Sequence, residues 1–534
     1  MARMIPARLR RAALALLLLG SAVSAAAGRV VLVGVDGATW SVIDPLVAEG
    51  ALPHLAALAR DGVTADLATV EPVNSPTVWT SIATGRSPEV HRIRDFFSTA
   101  LDRPVPTIFE RLAAQGKRVG LYDYLKTWPP RDLPGGFVIP GWTRRDDAVQ
   151  PPDVFARAGH APPYRYSNQD LRNRRDFLRS AREELVRKAP QYRALAGAFD
   201  LDVAAVTFYA FDALAHRFWL DAFPEQFEGE LPRAPDPAHR NVLRETMLGV
   251  DAALGEIRAG LAPEDVLLLA SDHGFQAGDA GGRVWTSSLD APLAAEGLVA
   301  DRDPFRFVGQ FFAVVIRVLP GPFEDRDALT ERLAGLLRGA RSADGDPLYT
   351  VDVLDAAERP PGHERGLLSR LRQWFVRTLV QYLFHVDFGT DAFAYVLAQP
   401  DAEVLDPLWP DGRVVFAGKE MPLPDLLYAD DFSGTHHPTA VFAAAGGPIV
   451  HRAERGALSV LDLAPLIAYL AGTPIPGDLE GTLPSAWIDP AWLAEHPPRV
   501  AAADTLPALA PLEASGDVGE EELLERLKAM GYVR

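Results

Sequence analysis

Short apolar runs, mostly Val, Leu and Ala, recur along this chain, each closed by a polar or small residue. They restrict the fold more than any other feature. The first is "RVVLVGVDG" (29–37), followed by "RVGLYDYL" (118–125), "LDVAAVTFYAFD" (201–212), "EDVLLLASDHG" (264–274) and "PTAVFAAAGG" (438–447). A run that is apolar without alternation suits a strand covered on both faces, as in a parallel sheet between helices. Helical patterns separate the runs; in Thr39 to Asp61, for example, Leu46, Leu52, Leu55 and Leu58 fall near helical spacing. Strand and helix alternating in this way predict an α/β fold, a layered α/β/α sandwich with a mainly parallel central sheet.

The 534 residues would allow about three domains of ~150 residues, or one large α/β unit with insertions. The second division fits the placing of the runs: one domain over 28–495, interrupted at about 140–200 and about 280–430 by polar or amphipathic cap insertions. The first insertion carries an Arg-rich helix candidate, "NQDLRNRRDFLRSAREELVRKA" (168–189). The second carries "LLSRLRQWFVRTLVQYLF" (367–384), read as an amphipathic cap helix. A tail, 496–534, ends in "GEEELLERLKAMGYVR", with acids first and bases last, as a short dipole-compensated helix has them. At the other end Arg3, Arg8, Arg10 and Arg11 precede the apolar run Ala12 to Leu19 and the small residues of "SAVSAAAG". Residues 1–27 therefore read as a cleaved signal peptide of an exported, periplasmic or secreted protein. The apolar stretch falls short of a membrane span, and no later segment replaces it as an anchor.

The chain has no Cys, which excludes disulfides, thiolate metal sites, iron–sulfur clusters and cysteine nucleophiles. Any metal must be held by His and carboxylates, a set that suits zinc, manganese, iron or magnesium. A net charge of −18 argues against a nucleic-acid scaffold partner, yet admits a small anionic substrate wherever bound cations reverse the local field.

Asp36, Asp212 and Asp272 each follow an apolar strand candidate, and open α/β sheets carry their sites at the carboxyl ends of strands. Asp212 and His216 lie four apart in "FDALAHRFW", one helical turn. Asp272 and His273 are adjacent in "SDHG", and "SGTHHP" supplies His436 or His437. With Ser75 of "NSPTVWTSIATG" these make enough ligands for two cations with positions left for substrate. Paired cations about 3.5–4 Å apart clamp the entering and leaving oxygens of an in-line displacement, which suits phosphoryl transfer. Taken alone, Ser75 followed by Pro76 reads as a helix cap. Beside such a constellation the same hydroxyl is a candidate nucleophile.

These motifs stand in the order found in the alkaline phosphatase superfamily. "VGVDGATWSVIDPLVAEGALPHLAAL", "NSPTVWTSIATGRSPEVHRI", "FDALAHRFW", "SDHGF" and "SGTHHPTAVFAAAGGP" most resemble its type I phosphodiesterase/nucleotide pyrophosphatase branch. The resemblance covers roughly 29–135, 200–275 and 430–485. It implies a hydrolase of small anionic phosphate esters, phosphodiesters or monoesters, working through a phosphoseryl intermediate on Ser75. It further implies two divalent ions, zinc first among the candidates: one held by Asp212, His216 and His436, the other by Asp36, Asp272, His273 and the Ser75 oxygen. His436 is preferred over His437 because the family's histidine follows a Gly-Thr or Gly-Ser step, here Gly434-Thr435.

The pattern departs in places. Phosphodiesterase members often have an Asn three residues after the nucleophile to hold a substrate oxygen. This chain has Val78 there and Asn74 just before Ser75, so Asn74 is the candidate for that contact and a turn residue otherwise. The departure bears on nucleotide pyrophosphatase activity more than on ester hydrolysis. "SPTVW" lacks the C/S-x-P-x-R pattern of sulfatases. Lys126 and Arg86 read as solvated surface charges, with contact to an anionic substrate as the alternative; His91 reads as a structural hydrogen-bonding residue, and Trp40, Trp79 and Trp128 as core. Two other classes of function remain open to the sequence: a phosphotransferase or mutase of the same superfamily, and a non-catalytic metal-binding envelope protein.

Overall fold

The computed structural model describes residues 28–94, 96, 98–141, 148–159, 174–227, 231, 234–278, 283–300, 302–309, 314–319, 323–355, 394–409, 411–510 and 512. The expected signal peptide, the amphipathic segment 367–384 and the terminal helix 519–534 lie outside the described residues.

An eight-stranded sheet forms the centre. Its strands are β1 (Val30–Val35), β2 (Val63–Ala68), β3 (Val119–Tyr124), β4 (Phe137–Pro140), β5 (Val203–Phe208) and β6 (Val266–Ala270). A short strand, β7 (Gly274–Ala277), pairs antiparallel with β8 (Gly434–His437) outside this sheet, which is completed by β9 (Thr439–Ala445) and β10 (Gly456–Ser459). The spatial order is β10-β2-β9-β6-β1-β5-β3-β4, and only β9 runs against its neighbours. The mainly parallel sheet expected from the apolar runs is therefore present. The reversal of β9 is invisible in "PTAVFAAAGG", because a run covered on both faces has the same composition in either direction.

Successive residues of β1 serve opposite layers. Val30 and Leu32 join a core containing Val78, Trp79, Ile82, Phe109 and Ile467, whereas Val31, Val33 and Val35 join one containing Ile43, Leu55, Leu185, Phe211 and Leu254. The helices Ser75–Thr84, Ile108–Ala114 and Leu463–Leu470 cover the first face. Trp40–Ala48, Pro53–Asp61, Arg174–Phe199, Ala210–Ala222 and Val242–Arg258 cover the second.

Part of the stretch 140–200, expected as a cap insertion, packs against the sheet. The helix Arg174–Phe199 buries Phe177, Ala181, Leu185, Ala189, Tyr192 and Leu195 in the second layer. Its Arg-rich exposed side disguised a core face at helical spacing. In the later stretch, about 280–430, a second sheet forms whose apolar residues continue the core of the first layer. Phe305–Gly309, Val314–Val318, Tyr349–Asp355 and Ala394–Pro400 make a four-stranded antiparallel sheet whose helix, Phe323–Arg338, buries Leu333 and Leu337. Among the described residues no single helix is long and apolar enough to cross a membrane.

Candidate active site

Parallel strands deliver their following residues to one edge, and the three aspartates gather there. Asp36 directly follows β1. Gly37 then turns at φ 71°, where its missing Cβ allows the Asp212 Cα within 3.0 Å of the place a Cβ would occupy. Asp212 sits in the first turn of Ala210–Ala222, and His216 follows one turn later on the same face. Asp272 and His273 bridge β6 and β7. His436 and His437 lie in β8, so their side chains point to opposite sides. His436 enters the cluster, whereas the His437 Nδ1 accepts from the Thr439 N–H at 3.1 Å.

The cluster is tight. The Asp212 Oδ1 lies 3.5 Å from the Nε2 of both His216 and His436 and 3.8 Å from that of His273. His273 Nε2 also lies 3.3 Å from Asp272 Oδ2 and 3.6 Å from Asp36 Oδ1. Ser75 Oγ, fully buried, is 3.3 Å from Asp36 Oδ1 and 3.4 Å from His273 Nε2. All seven expected ligand residues thus converge. Two ligand groupings result, Asp212/His216/His436 and Asp36/Asp212/His273. Asp212 belongs to both, a sharing that the sequence did not reveal.

Three backbone carbonyls fix the imidazoles. His216 Nδ1 donates to Gly434 O at 3.1 Å, His273 Nδ1 to Gly274 O at 3.1 Å, and His436 Nδ1 to Val73 O at 2.8 Å. A carbonyl can only accept, so each Nδ1 carries hydrogen and each Nε2 is left to serve as a ligand, as in histidine metal sites generally. The Nε2 atoms of His216 and His436 stand 3.1 Å apart. Asp272 Oδ2 is buried without a hydrogen-bond donor among the described residues. Carboxylates and imidazole nitrogens turned on one another form a donor set that fits divalent cations.

Charge follows from the same crowding. Burial, then the neighbouring carboxylates Asp272 and Asp212, hold Asp36 well above the usual carboxylate range. Burial and Asp212 push Asp272 up to about 7. Burial acts on Asp212 in the same direction, but His216, His436 and His273 outweigh it and hold this carboxyl below its ordinary value. Burial lowers His216 to about 4 and takes His273 well down, keeping both neutral. Burial also opposes charge on His436, but Asp212 overcomes it and raises the group.

The remaining candidates divide. Asn74, not Ser75, caps the helix Ser75–Thr84: its Oδ1 accepts from Thr77 N at 3.0 Å while its Nδ2 donates to Arg94 O at 3.1 Å. The longer amide reaches the third helical N–H, which frees the serine hydroxyl to face Asp36. Val78 points into the core. Lys126 is not a solvated charge; it is buried and donates to Phe96 O and Ser98 O, each at 2.8 Å. Arg86 is held by Asp478 at 3.1 Å and Glu480 at 3.3 Å. His91 accepts from Ile93 N and bonds Ser81 Oγ at 2.8 Å, a structural role as expected. Trp40 and Trp128 are core residues. Trp79 is core too, but its Nε1 donates to Asp36 Oδ2 at 3.0 Å. Its position one helical turn after Ser75 was the available signal for that contact.

The type I phosphodiesterase / nucleotide pyrophosphatase family profile matches residues 30–356, more than half of the chain. The chain belongs to that family. It is by membership a hydrolase of phosphoric esters, and the alkaline phosphatase-like α/β fold is the one described above. No curated protein matches significantly. Among solved structures, the chain is similar to murine ectonucleotide pyrophosphatase / phosphodiesterase 5, at 16% identity and TM-score 0.38, covering 85% of this chain and 97% of that one. It is also similar to Sinorhizobium meliloti 1021 phosphonoacetate hydrolase in complex with phosphonoacetate, at 16% identity and TM-score 0.42, covering 84% and 95%.

Proposed function

We propose that this member of the family is an exported hydrolase of small phosphate esters, diesters ahead of monoesters, that uses Ser75 as nucleophile and two divalent ions, zinc first. One observation carries the reading. A buried serine hydroxyl at a helix N-terminus lies within 3.4 Å of Asp36 and His273, in a cluster where three imidazoles, each held by a backbone carbonyl at Nδ1, turn Nε2 toward the aspartates.

Asp212, His216 and His436 would hold one ion, and Asp36, Asp272 and His273 the other, with Asp212 reaching both. Bound cations supply the positive charge that lowers the pKa of the Ser75 hydroxyl and neutralises the ester oxygens. The chain's own residues do the rest. Ser75 sits at the positive end of its helix dipole, where an anionic ester is favoured. Having lost its proton to solvent, Ser75 Oγ attacks phosphorus; the new O–P bond replaces the bond to the leaving alcohol, which departs with a proton from water. Water then attacks the phosphoseryl phosphorus, the Ser75 O–P bond breaks, and Ser75 regains a proton. Trp79 holds the Asp36 carboxylate in place throughout. The N-terminal Arg-rich and apolar sequence supports export.

The test is metal analysis of purified protein with parallel assays of aryl phosphate mono- and diesters before and after chelation. The proposal expects two equivalents of divalent metal and turnover lost on chelation and restored by zinc. Undiminished hydrolysis by thoroughly chelated protein would count against it. Transfer of the phosphoryl group to added alcohols in preference to water would point instead to a phosphotransferase.

A further inference from the structure

The helix Arg174–Phe199 buries a charged group close to the site that the chemistry above does not use. Lys188 and Glu184, each 1% exposed, form an ion pair one helical turn apart. Lys188 Nζ also lies 3.0 Å from Asp123 Oδ2, at the end of β3, and donates to Thr207 O at 2.7 Å. Glu184 Oε1 accepts from Tyr209 N at 3.0 Å.

Those contacts fall on three consecutive residues where β5 ends and the helix Ala210–Ala222 begins. Thr207 O is held by Lys188, Phe208 O accepts from Asp36 N at 2.9 Å, and Tyr209 N is held by Glu184. This junction therefore ties directly to one aspartate of the site and launches the helix that carries another, Asp212. Tyr209 is the N-cap of that helix and offers no side-chain cap of its own. Glu184 satisfies its N–H from a neighbouring helix, as an internal Glu does in a capping box, and puts negative charge at the positive end of the helix. Tyr209 closes the ring by donating its hydroxyl to Asp123 O. Buried ion pairs stabilise little against apolar replacements of similar volume, and their best-attested use is to specify geometry.

We propose that Glu184 and Lys188 are positioning residues that fix the strand-to-helix junction 207–209 and, through it, the Asp36 and Asp212 carboxylates. The inference rests on those aspartates being metal ligands. Its test compares zinc affinity, kcat and thermal unfolding for wild type, Glu184→Leu, Glu184→Gln and Tyr209→Phe in the full chain. Glu184→Leu removes the acceptor for Tyr209 N–H and should weaken zinc binding about 10–100-fold, the usual effect of losing support behind a ligand. Glu184→Gln keeps a carbonyl acceptor and should lose less than Glu184→Leu. Tyr209→Phe, the mildest change, should weaken binding about threefold, below that range. A merely structural pair would lower the unfolding temperature and leave zinc affinity unchanged; that result overturns the proposal. If Glu184→Leu does not fold, Tyr209→Phe with wild-type zinc affinity overturns it equally. If the wild type itself takes up no zinc, the metal reading has failed, and kcat decides: equal values for Glu184→Leu and wild type overturn positioning, and a fall supports it.

Discussion

The two halves of the site are built from the same ligand types but present opposite environments. In the outer half, His216 and His436 keep 12% and 17% of their side chains exposed and share one carboxylate, Asp212. In the inner half, Asp36, Asp272, His273 and Ser75 are sealed, with two carboxylates to one imidazole. Two imidazoles around a single carboxylate keep Asp212 ionised, whereas crowded carboxylates favour protons on Asp36 and Asp272. The lesson is a division of labour. The outer half is partly open to water; the inner half closes around the Ser75 hydroxyl and favours protons on its carboxylates.

Removing the nucleophile should produce the largest effect. Ser75→Ala is expected to lower turnover by roughly 10⁴-fold or more while both metal equivalents remain, read by steady-state assay and metal analysis on the same sample. Retained turnover would detach the inner half from the chemistry. Next comes the shared ligand. Asp212→Asn should weaken divalent binding at both positions by at least about 100-fold, beyond the cost of losing second-layer support, whereas His216→Ala should cost one equivalent. Equal losses in the two variants would erase the distinction between the halves.

Much of this site could be read from letters alone, because a strand-end Asp and an i,i+4 Asp–His pair are local patterns. The six candidate ligands and Ser75 were singled out in that way, and the choice of His436 over His437 needed the family likeness; the strand register sends the two rings to opposite sides. What stayed hidden depended on contacts across the fold. Asp212 serves both groupings only because β1, β5 and β6 lie side by side. Trp79 looked like core because most of its ring is, and only the Nε1 direction reveals its bond to Asp36. Lys126 looked solvated because sequence does not record the carbonyls of a distant loop. Glu184 and Lys188 were lost in an Arg-rich stretch whose apolar face points to the sheet.

Smaller effects sharpen the contrast. Trp79→Phe removes the donor to Asp36 and should weaken the inner ion about tenfold, leaving the outer one alone; stepwise zinc titration separates the two. The mildest is a pH effect. Because Asp272 is raised from its ordinary 3.8 to about 7, the metal-free folded chain binds more protons than the unfolded chain between those values. The stability from this group is therefore present at low pH and lost as pH rises through about 7. Calorimetry of metal-free protein should accordingly show a contribution that lowers the unfolding temperature by a few degrees across that window, and excess zinc should abolish it.

The most direct measurement is diffraction from zinc-loaded crystals at the zinc absorption edge. Two anomalous peaks about 3.5–4 Å apart are expected, the outer bounded by Asp212, His216 and His436 and the inner by Asp36, Asp272 and His273 beside Ser75 Oγ. A single peak elsewhere, or none among these side chains, would contradict the two-ion site.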